Sequence, residues 1–186
     1  MSDARPVENL ALIGFMGSGK SVIGRKLSRR LGFELLDTDR LIEERAGMAI
    51  SEIFAQKGEP GFRAMESQIV DQLKGRKNAV IATGGGLVTH DANLDKLKEF
   101  ALVVCLCASA EEIWNRVSRS THRPLLQRPD AREFIAEKLQ ERLPYYRQAD
   151  VLVTTEGRSA NSVADIIAHQ FERQRRVAPA TKAPVS

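Results

Sequence analysis

Eight residues near the amino terminus have the composition and spacing of a loop that binds nucleotide phosphates. The segment from Gly14 to Ser21 fits the pattern G-x-x-x-x-G-K-[ST]. Its glycines let the backbone N–H groups surround a diphosphate, while Lys20 carries positive charge to the β- and γ-phosphates and the Ser21 hydroxyl reaches Mg²⁺. We expect ATP contacts from this loop and the residue after it: Gly17, Ser18, Gly19, Lys20, Ser21 and Val22.

A pair of carboxylates comes directly after the second predicted strand. Asp37 and Asp39 flank Thr38, and ligands of open α/β sheets bind at the carboxyl ends of strands. Two carboxylates at this place can act on a substrate hydroxyl and on the shell of a metal ion. The alternative is that Asp39 only caps the helix that follows, because aspartate is common at that position.

Three consecutive glycines, Gly84, Gly85 and Gly86, follow the third predicted strand. Such a run is flexible and loses much conformational entropy on folding. Two interpretations are open at this point: a tight turn, or a backbone surface that a ligand approaches closely.

Three arginines complete the set of candidate residues: Arg63 at the start of a predicted helix, Arg123 in a polar segment with two prolines, and Arg142 on a later helix. A single arginine is usually a solvated charge or part of a surface ion pair. Arginine is also the side chain that best grips planar carboxylates and transferring phosphates.

The elements that must position these residues alternate between strands and helices. This alternation predicts an α/β fold in which a parallel sheet is covered by helices on both faces. Short apolar runs predict strands at 9–13, 33–36, 79–82, 102–106 and 151–154. Helical periodicity and capping predict helices at 20–31, 40–45, 50–56, 62–73, 94–100, after Ser109, at 131–146 and at 159–171.

The charge distribution separates a neutral body from a basic tail. The chain has 28 Lys and Arg against 24 Asp and Glu, and the whole excess falls in residues 173–186. We therefore predict a single domain over residues 1–172 and a disordered tail over 173–186. A formally neutral body does not have the electrostatic character of a nucleic-acid binder.

Two further features concern the cellular context. The first eight residues lack the apolar core of a signal peptide, and no apolar run approaches the roughly 20 residues that span a bilayer. We expect a cytoplasmic protein without a membrane partner. Cys105 and Cys107 lie on one face of a predicted strand, and we interpret them as small buried apolar residues.

Taken in order, the motifs resemble those of the shikimate kinases. The family pattern is a phosphate loop, then Asp-Thr-Asp, Phe-Arg-x-x-Glu, Gly-Gly-Gly, Arg-Pro-Leu-Leu and Arg-x-x-x-Tyr, and this chain has all six between about Leu10 and Phe171. The resemblance implies the fold of the nucleoside monophosphate kinases, with a five-stranded parallel sheet, a mobile lid at about 118–130 and a substrate-binding part at about 37–66. It implies a monomer that moves the γ-phosphoryl group of ATP, with Mg²⁺, to shikimate.

The resemblance also implies roles for particular residues. Lys20, Asp39 and Arg123 are the expected catalytic residues, and Asp39 faces the acceptor hydroxyl while Asp37 and Ser21 lie near the metal. The shikimate contacts are expected from Asp39, Arg63, Gly84, Gly85, Gly86 and Arg142. Beyond the phosphate loop, the expected ATP contacts are Arg116, Arg123 and either Arg158 or Ser159.

The chain departs from the family pattern at one position of the phosphate loop, which reads Lys-Ser-Val where Lys-Ser-Thr is more usual. Three other functions use related motifs. A gluconate-type kinase shares the loop and lid, a nucleoside monophosphate kinase needs a base-reading segment that we do not find, and a regulatory ATPase needs no acceptor site. The carboxylates and arginines on the far side of the cleft favour a small-metabolite kinase.

Overall fold

The computed structural model describes residues 7–90, 92–118 and 129–177. Its centre is a sheet of five strands in the order β2-β3-β1-β4-β5, and every pairing between neighbours is parallel. The predicted α/β class and the parallel five-stranded sheet are confirmed. The strands are β1 (Asn9–Ile13), β2 (Glu34–Asp37), β3 (Ala79–Ala82), β4 (Ala101–Cys107) and β5 (Val151–Thr154).

Helices cover both faces of the sheet and form two separate apolar cores. One core packs α1 and α7 against the sheet, and the other packs α2, α3, α4, α5 and α6 against the opposite face. The result is three layers. The helices are α1 (Lys20–Leu31), α2 (Thr38–Ala46), α3 (Ile50–Leu73), α4 (Asn93–Phe100), α5 (Ala110–Val117), α6 (Ala131–Tyr146) and α7 (Ala160–Val177), with a 3₁₀ turn at Leu87–Thr89.

The sheet order brings the candidate residues to one edge. All five residues of β1 are buried, as expected for a central parallel strand covered on both faces. Ile13 at the end of β1 is level with Cys105 of β4, and Asp37 at the end of β2 is level with Ala82 of β3. The loops that leave these strands therefore meet above the carboxyl edge of the sheet.

The segment predicted as two helices at 50–56 and 62–73 forms two helical stretches that meet at a kink within α3. Gly58 has φ 65° and ψ −176°, which no helix contains, and Pro60 follows two residues later. A proline near the start of a helical stretch removes a backbone donor without breaking the rest. The kink therefore separates the two predicted halves without a loop between them.

The last helix is longer than predicted, because α7 continues to Val177 rather than ending at Phe171. The expectation of a disordered tail from residue 173 is therefore wrong for its first five residues. The Arg175 guanidinium lies 5.9 Å from the centre of the Phe33 ring and 5.6 Å from that of Phe171. These contacts give the end of the helix a packing partner that charge counting does not reveal.

Both cysteines lie in β4, as the predicted strand implied. Cys105 is buried and Cys107 is partly buried, and both thiols are free with their Sγ atoms 3.8 Å apart. Among the residues that the structure describes, no helix has the length and apolar character needed to cross a membrane.

Candidate active site

The phosphate loop connects β1 to α1 and depends on glycine backbone geometry. Gly17 and Gly19 have φ values of 74° and 102°, in the left-handed region that favours glycine. Lys20 begins α1, and its ammonium group donates hydrogen bonds to the carbonyl oxygens of Gly14 at 2.7 Å and Phe15 at 2.9 Å. The positive charge of Lys20 is thus held beside the phosphate loop by the carbonyl oxygens of that loop.

A cavity of about 860 Å³ lies above this loop, and most of the residues predicted to bind the nucleotide and the metal line it. Its lining includes side chains from α1, the end of β2 and the start of α7. The predicted residues that line it are Gly17, Ser18, Gly19, Lys20, Ser21, Val22, Asp37, Asp39, Gly85, Arg116 and Arg158.

In this cavity, which we call the nucleotide cavity, Arg116 is held by a residue that the sequence reasoning missed. Its guanidinium donates to the Thr155 hydroxyl at 2.9 Å and to the Thr155 carbonyl at 3.2 Å, while its Nε donates to Glu112. Arg158 lines the same cavity, whereas the Ser159 hydroxyl accepts a bond from the Ser162 N–H near the start of α7. The geometry therefore favours Arg158 over Ser159 as a nucleotide contact.

The two aspartates of the Asp-Thr-Asp motif have different environments. The Asp37 side chain caps α2, since its Oδ1 accepts from the N–H groups of Asp39 and Arg40. Asp39 is half-buried, and its Oδ1 is fully buried without a hydrogen-bond partner among the described residues. The capping role thus belongs to Asp37, which leaves the Asp39 carboxylate available for a ligand.

Electrostatics shift Asp39 towards its protonated form. Burial raises the pKa of Asp39 above its usual value, the nearby charge of Asp37 raises it further, and Lys20 opposes the change. Glu66, only 1% exposed, lies nearby, and burial likewise raises its pKa while Arg63 opposes the change. A carboxylate with a raised pKa is a better proton acceptor than a solvated aspartate.

The three glycines leave room for the side chains of the site. A Cβ at Gly84 would lie 2.5 Å from Oδ1 of Asp39, and a Cβ at Gly86 would lie 2.7 Å from Nη1 of Arg63. At Gly85 the nearest atoms, including Nη1 of Arg142 at 3.6 Å, are at ordinary contact distance. The run is therefore a close backbone approach to the acceptor-site side chains rather than only a tight turn.

Arg63 is oriented by two acids of its own helix. Its Nη1 donates to Glu66 at 2.7 Å, while Nη2 and Nε donate to Glu59 at 2.8 and 3.2 Å. Glu66 lies three residues after Arg63 and Glu59 four residues before it, so all three share one face of α3. The sequence contains this spacing, but the reasoning assigned no role to either acid.

A second cavity, of about 1020 Å³, adjoins the first and is lined by both arginines that were predicted to bind the acceptor, so we call it the acceptor cavity. Arg63 and Arg142 line it together with Glu59 and Tyr145, and Ile50 lines both cavities. The Arg142 guanidinium lies 5.3 Å from the centre of the Phe15 ring, beside the phosphate loop. The remaining predicted arginine, Arg123, falls in 119–128, outside the described residues.

Above the carboxyl ends of a parallel sheet, one cavity presents a phosphate loop and a buried carboxylate, and the adjoining cavity presents two arginines. This arrangement defines an ATP-dependent kinase of small molecules. A family model described as shikimate kinase matches residues 16–172. The chain belongs to the shikimate kinase family.

Individual relatives agree with this family assignment. A shikimate kinase of Thermodesulfovibrio yellowstonii is 43% identical over 167 residues, which are 90% of this chain and 96% of that protein. One of Moorella thermoacetica is 46% identical over 156 residues, 84% of this chain and 90% of that protein. The structure of shikimate kinase from Acinetobacter baumannii in complex with shikimate is 36% identical, with a TM-score of 0.84, over 91% of this chain and 95% of that one.

Proposed function

We propose that this chain transfers the γ-phosphoryl group of ATP to the 3-hydroxyl of shikimate, giving 3-phosphoshikimate and ADP in the biosynthesis of aromatic amino acids. The observation that carries the proposal is the position of Asp39. Its carboxylate lines the nucleotide cavity with Lys20, while Arg63 and Arg142 line the adjoining cavity. A hydroxylated carboxylic acid fits this arrangement, with its hydroxyl towards Asp39 and its carboxylate towards the arginines.

The chemistry requires in-line placement and positive charge more than covalent help from the protein. A bond forms between the acceptor oxygen and the γ-phosphorus, the bond to the β-γ bridging oxygen breaks, and ADP leaves with that oxygen. Asp39 accepts the hydroxyl proton, and Lys20 stabilises the negative charge of the phosphates. For Arg123 we propose a phosphate contact, on the basis of the Arg-Pro-Leu-Leu motif.

We further propose that Mg²⁺ is held near Ser21 and Asp37. Among the described residues, no group of three or more His, Cys, Asp or Glu side chains is arranged for a metal ion. Ser21 and Asp37 line the nucleotide cavity with oxygen donors, and Mg²⁺ commonly takes few protein ligands and completes its shell with phosphate oxygens and water. When bound, the ion neutralises charge on the transferring phosphates.

The proposal is tested by measuring ADP formation with a panel of acceptors. We expect turnover that depends on shikimate and is much slower with gluconate, other hydroxy acids, AMP or CMP. Faster turnover with gluconate or a nucleotide than with shikimate would show that this compound, and not shikimate, is the acceptor. ATP consumption that is independent of any acceptor would instead support a regulatory ATPase.

Arg63→Ala provides a test of the acceptor cavity. We expect the KM for shikimate to rise by about 10- to 100-fold, the range of a lost charge-assisted hydrogen bond, with little change in the KM for ATP. Arg40→Ala, which removes an exposed arginine paired with Glu44 on α2, is the matched control. Equal weakening of both substrates would indicate a folding defect.

We add three further proposals: a lid at about 118–130, of which 119–128 lie outside the described residues, that closes over a filled site, a monomeric state and a cytoplasmic location. Closure over bound substrates would keep water from the transferring phosphoryl group. ATP hydrolysis without acceptor measures the first, size-exclusion chromatography the second and cell fractionation the third.

A further inference from the structure

Tyr146, the last residue of α6, connects this helix to the triple-glycine loop. Its side chain is 3% exposed, and its ring belongs to the apolar core that contains Ile135 and Ile113. Its hydroxyl donates a hydrogen bond of 2.6 Å to the carbonyl oxygen of Gly85. Burial raises the pKa of Tyr146 to about 12, although the charge of Arg142 and a side-chain hydrogen bond with Arg142 oppose the shift, so the hydroxyl remains a donor at neutral pH.

Gly85, whose carbonyl accepts this hydrogen bond, has no side chain that could fix its backbone conformation. Glycine has more backbone freedom than any other residue, and Gly85 lies between two further glycines. The peptide unit that carries the Gly85 carbonyl also carries the Gly86 N–H, and the two groups of a trans peptide point in opposite directions. No cis peptide occurs among the described residues. The bond therefore directs the Gly86 N–H away from Tyr146.

Both acceptor-side arginines lie against this peptide. A Cβ on Gly86 would come within 2.7 Å of Arg63, and one on Gly85 within 3.6 Å of Arg142. Arg142 lies one helical turn before Tyr146, so the two side chains share a face of α6. A rotation of the Gly85–Gly86 peptide would consequently disturb the space that both guanidinium groups occupy.

We propose that Tyr146 is a positioning residue for the acceptor, because its hydroxyl holds the Gly85–Gly86 peptide in the orientation that fits Arg63 and Arg142 around a carboxylate substrate. This inference rests on the proposed function and adds a residue to it. Tyr146 acts through the glycine peptide and does not contact the reacting atoms.

Tyr146→Phe tests the inference, since it keeps the ring in the core and removes only the hydroxyl. We expect the KM for shikimate to rise about five- to tenfold, the worth of one buried neutral hydrogen bond. We expect the KM for ATP to stay within about twofold, because the Tyr146 hydroxyl donates its bond to the Gly85 carbonyl rather than to a group of the phosphate loop. Ser28→Ala is the control, because it removes a hydroxyl that donates to the backbone carbonyl of Phe33, and neither residue lines either cavity.

A spectroscopic measurement keeps the test decisive if Tyr146→Phe folds poorly. The chain has two tyrosines, so 3-fluorotyrosine incorporated into the Tyr145→Phe protein labels Tyr146 alone. We expect its fluorine resonance to shift when shikimate is added without nucleotide.

The outcomes separate this inference from the proposed function. A wild-type protein that does not phosphorylate shikimate overturns both. If the wild type is active but the Tyr146 fluorine resonance of the labelled Tyr145→Phe protein does not shift with shikimate, the role of Tyr146 alone is overturned. The same holds if Tyr146→Phe leaves the shikimate KM unchanged, or raises the KM values for shikimate and ATP equally.

Discussion

The nucleotide cavity and the acceptor cavity adjoin each other but are built in different ways. The nucleotide side is made chiefly by one continuous segment, the phosphate loop, whose backbone reaches its shape through positive φ at Gly17 and Gly19. The acceptor side is lined by long side chains from α3 and α6, Arg63 and Arg142, which both lie beside the triple-glycine loop. One side depends on local backbone conformation and the other on space between distant elements.

This difference predicts how each side fails. A phosphate loop loses function when its charge or its backbone conformation changes, whatever happens elsewhere in the fold. An acceptor cavity assembled from separate elements also loses function when a single methyl group fills the gap between them, as at Gly84 or Gly86. The following predictions test this contrast, beginning with the largest expected effect.

Lys20→Met should nearly abolish turnover while the protein remains folded. The variant removes the Lys20 ammonium group, whose positive charge lies beside the phosphate loop. We therefore expect a loss in kcat of about a thousandfold or more. Lys26→Met, which removes a partly buried lysine bonded to Asn161, is the control on the same helix. Steady-state kinetics and circular dichroism measure the effect, and full activity in Lys20→Met would refute the phosphate-loop assignment.

Asp39→Asn should lower kcat by about 100- to 10,000-fold, the usual contribution of a positioned general base. In the wild type, the base must be ionised, so activity should fall on the acid side as Asp39 becomes protonated. Because burial and the Asp37 charge raise the pKa of Asp39 above 3.8, this fall should begin at a higher pH than for a solvated aspartate.

A pH profile of kcat measures this acid limb, and Asp95→Asn on α4 serves as the control. Near wild-type turnover in Asp39→Asn would show that the carboxylate only orients the acceptor hydroxyl, without taking its proton.

Gly86→Ala and Gly85→Ala should differ, although the change is the same and the positions are adjacent. The new methyl at 86 would press on Arg63, whereas the one at 85 would make ordinary contacts. We expect the shikimate KM to rise about tenfold or more for Gly86→Ala and clearly less for Gly85→Ala. Equal effects would mean that backbone freedom, rather than space for Arg63, determines the glycine run.

The same contrast explains how much of the molecule the sequence predicts. Strands β1, β3 and β5 and helices α1 and α6 occur at their predicted bounds, because apolar periodicity and caps are local signals. The kinase family is likewise predicted from short motifs in order. The continuation of α7 to Val177 was missed, because Arg175 packs on Phe33, which is distant in the chain.

The candidate site follows the same rule. The Asp-Thr-Asp motif predicts two acids at the cleft, but only the fold shows that Asp37 caps α2 and that an oxygen of Asp39 is left without a partner among the described residues. Glu66 and Tyr146 belong to the family motifs, but the motifs alone assign no role to either residue. Thr155 belongs to no motif, and only the contact with Arg116 reveals it.

Thr155→Val tests whether the nucleotide side, too, contains a part assembled by tertiary contacts. The variant preserves the shape of the side chain and removes the hydroxyl that accepts from Arg116, while the Thr155 carbonyl keeps its own bond to that guanidinium. We therefore expect a small effect, a rise of about two- to fivefold in the KM for ATP, with the shikimate KM unchanged. Thr154→Val, at the preceding exposed position of β5, is the control. A change in kcat instead of the KM for ATP would mean that Arg116 acts on the transferring phosphates. The contrast between a nucleotide cavity built from backbone and an acceptor cavity built from side chains would then have to be revised.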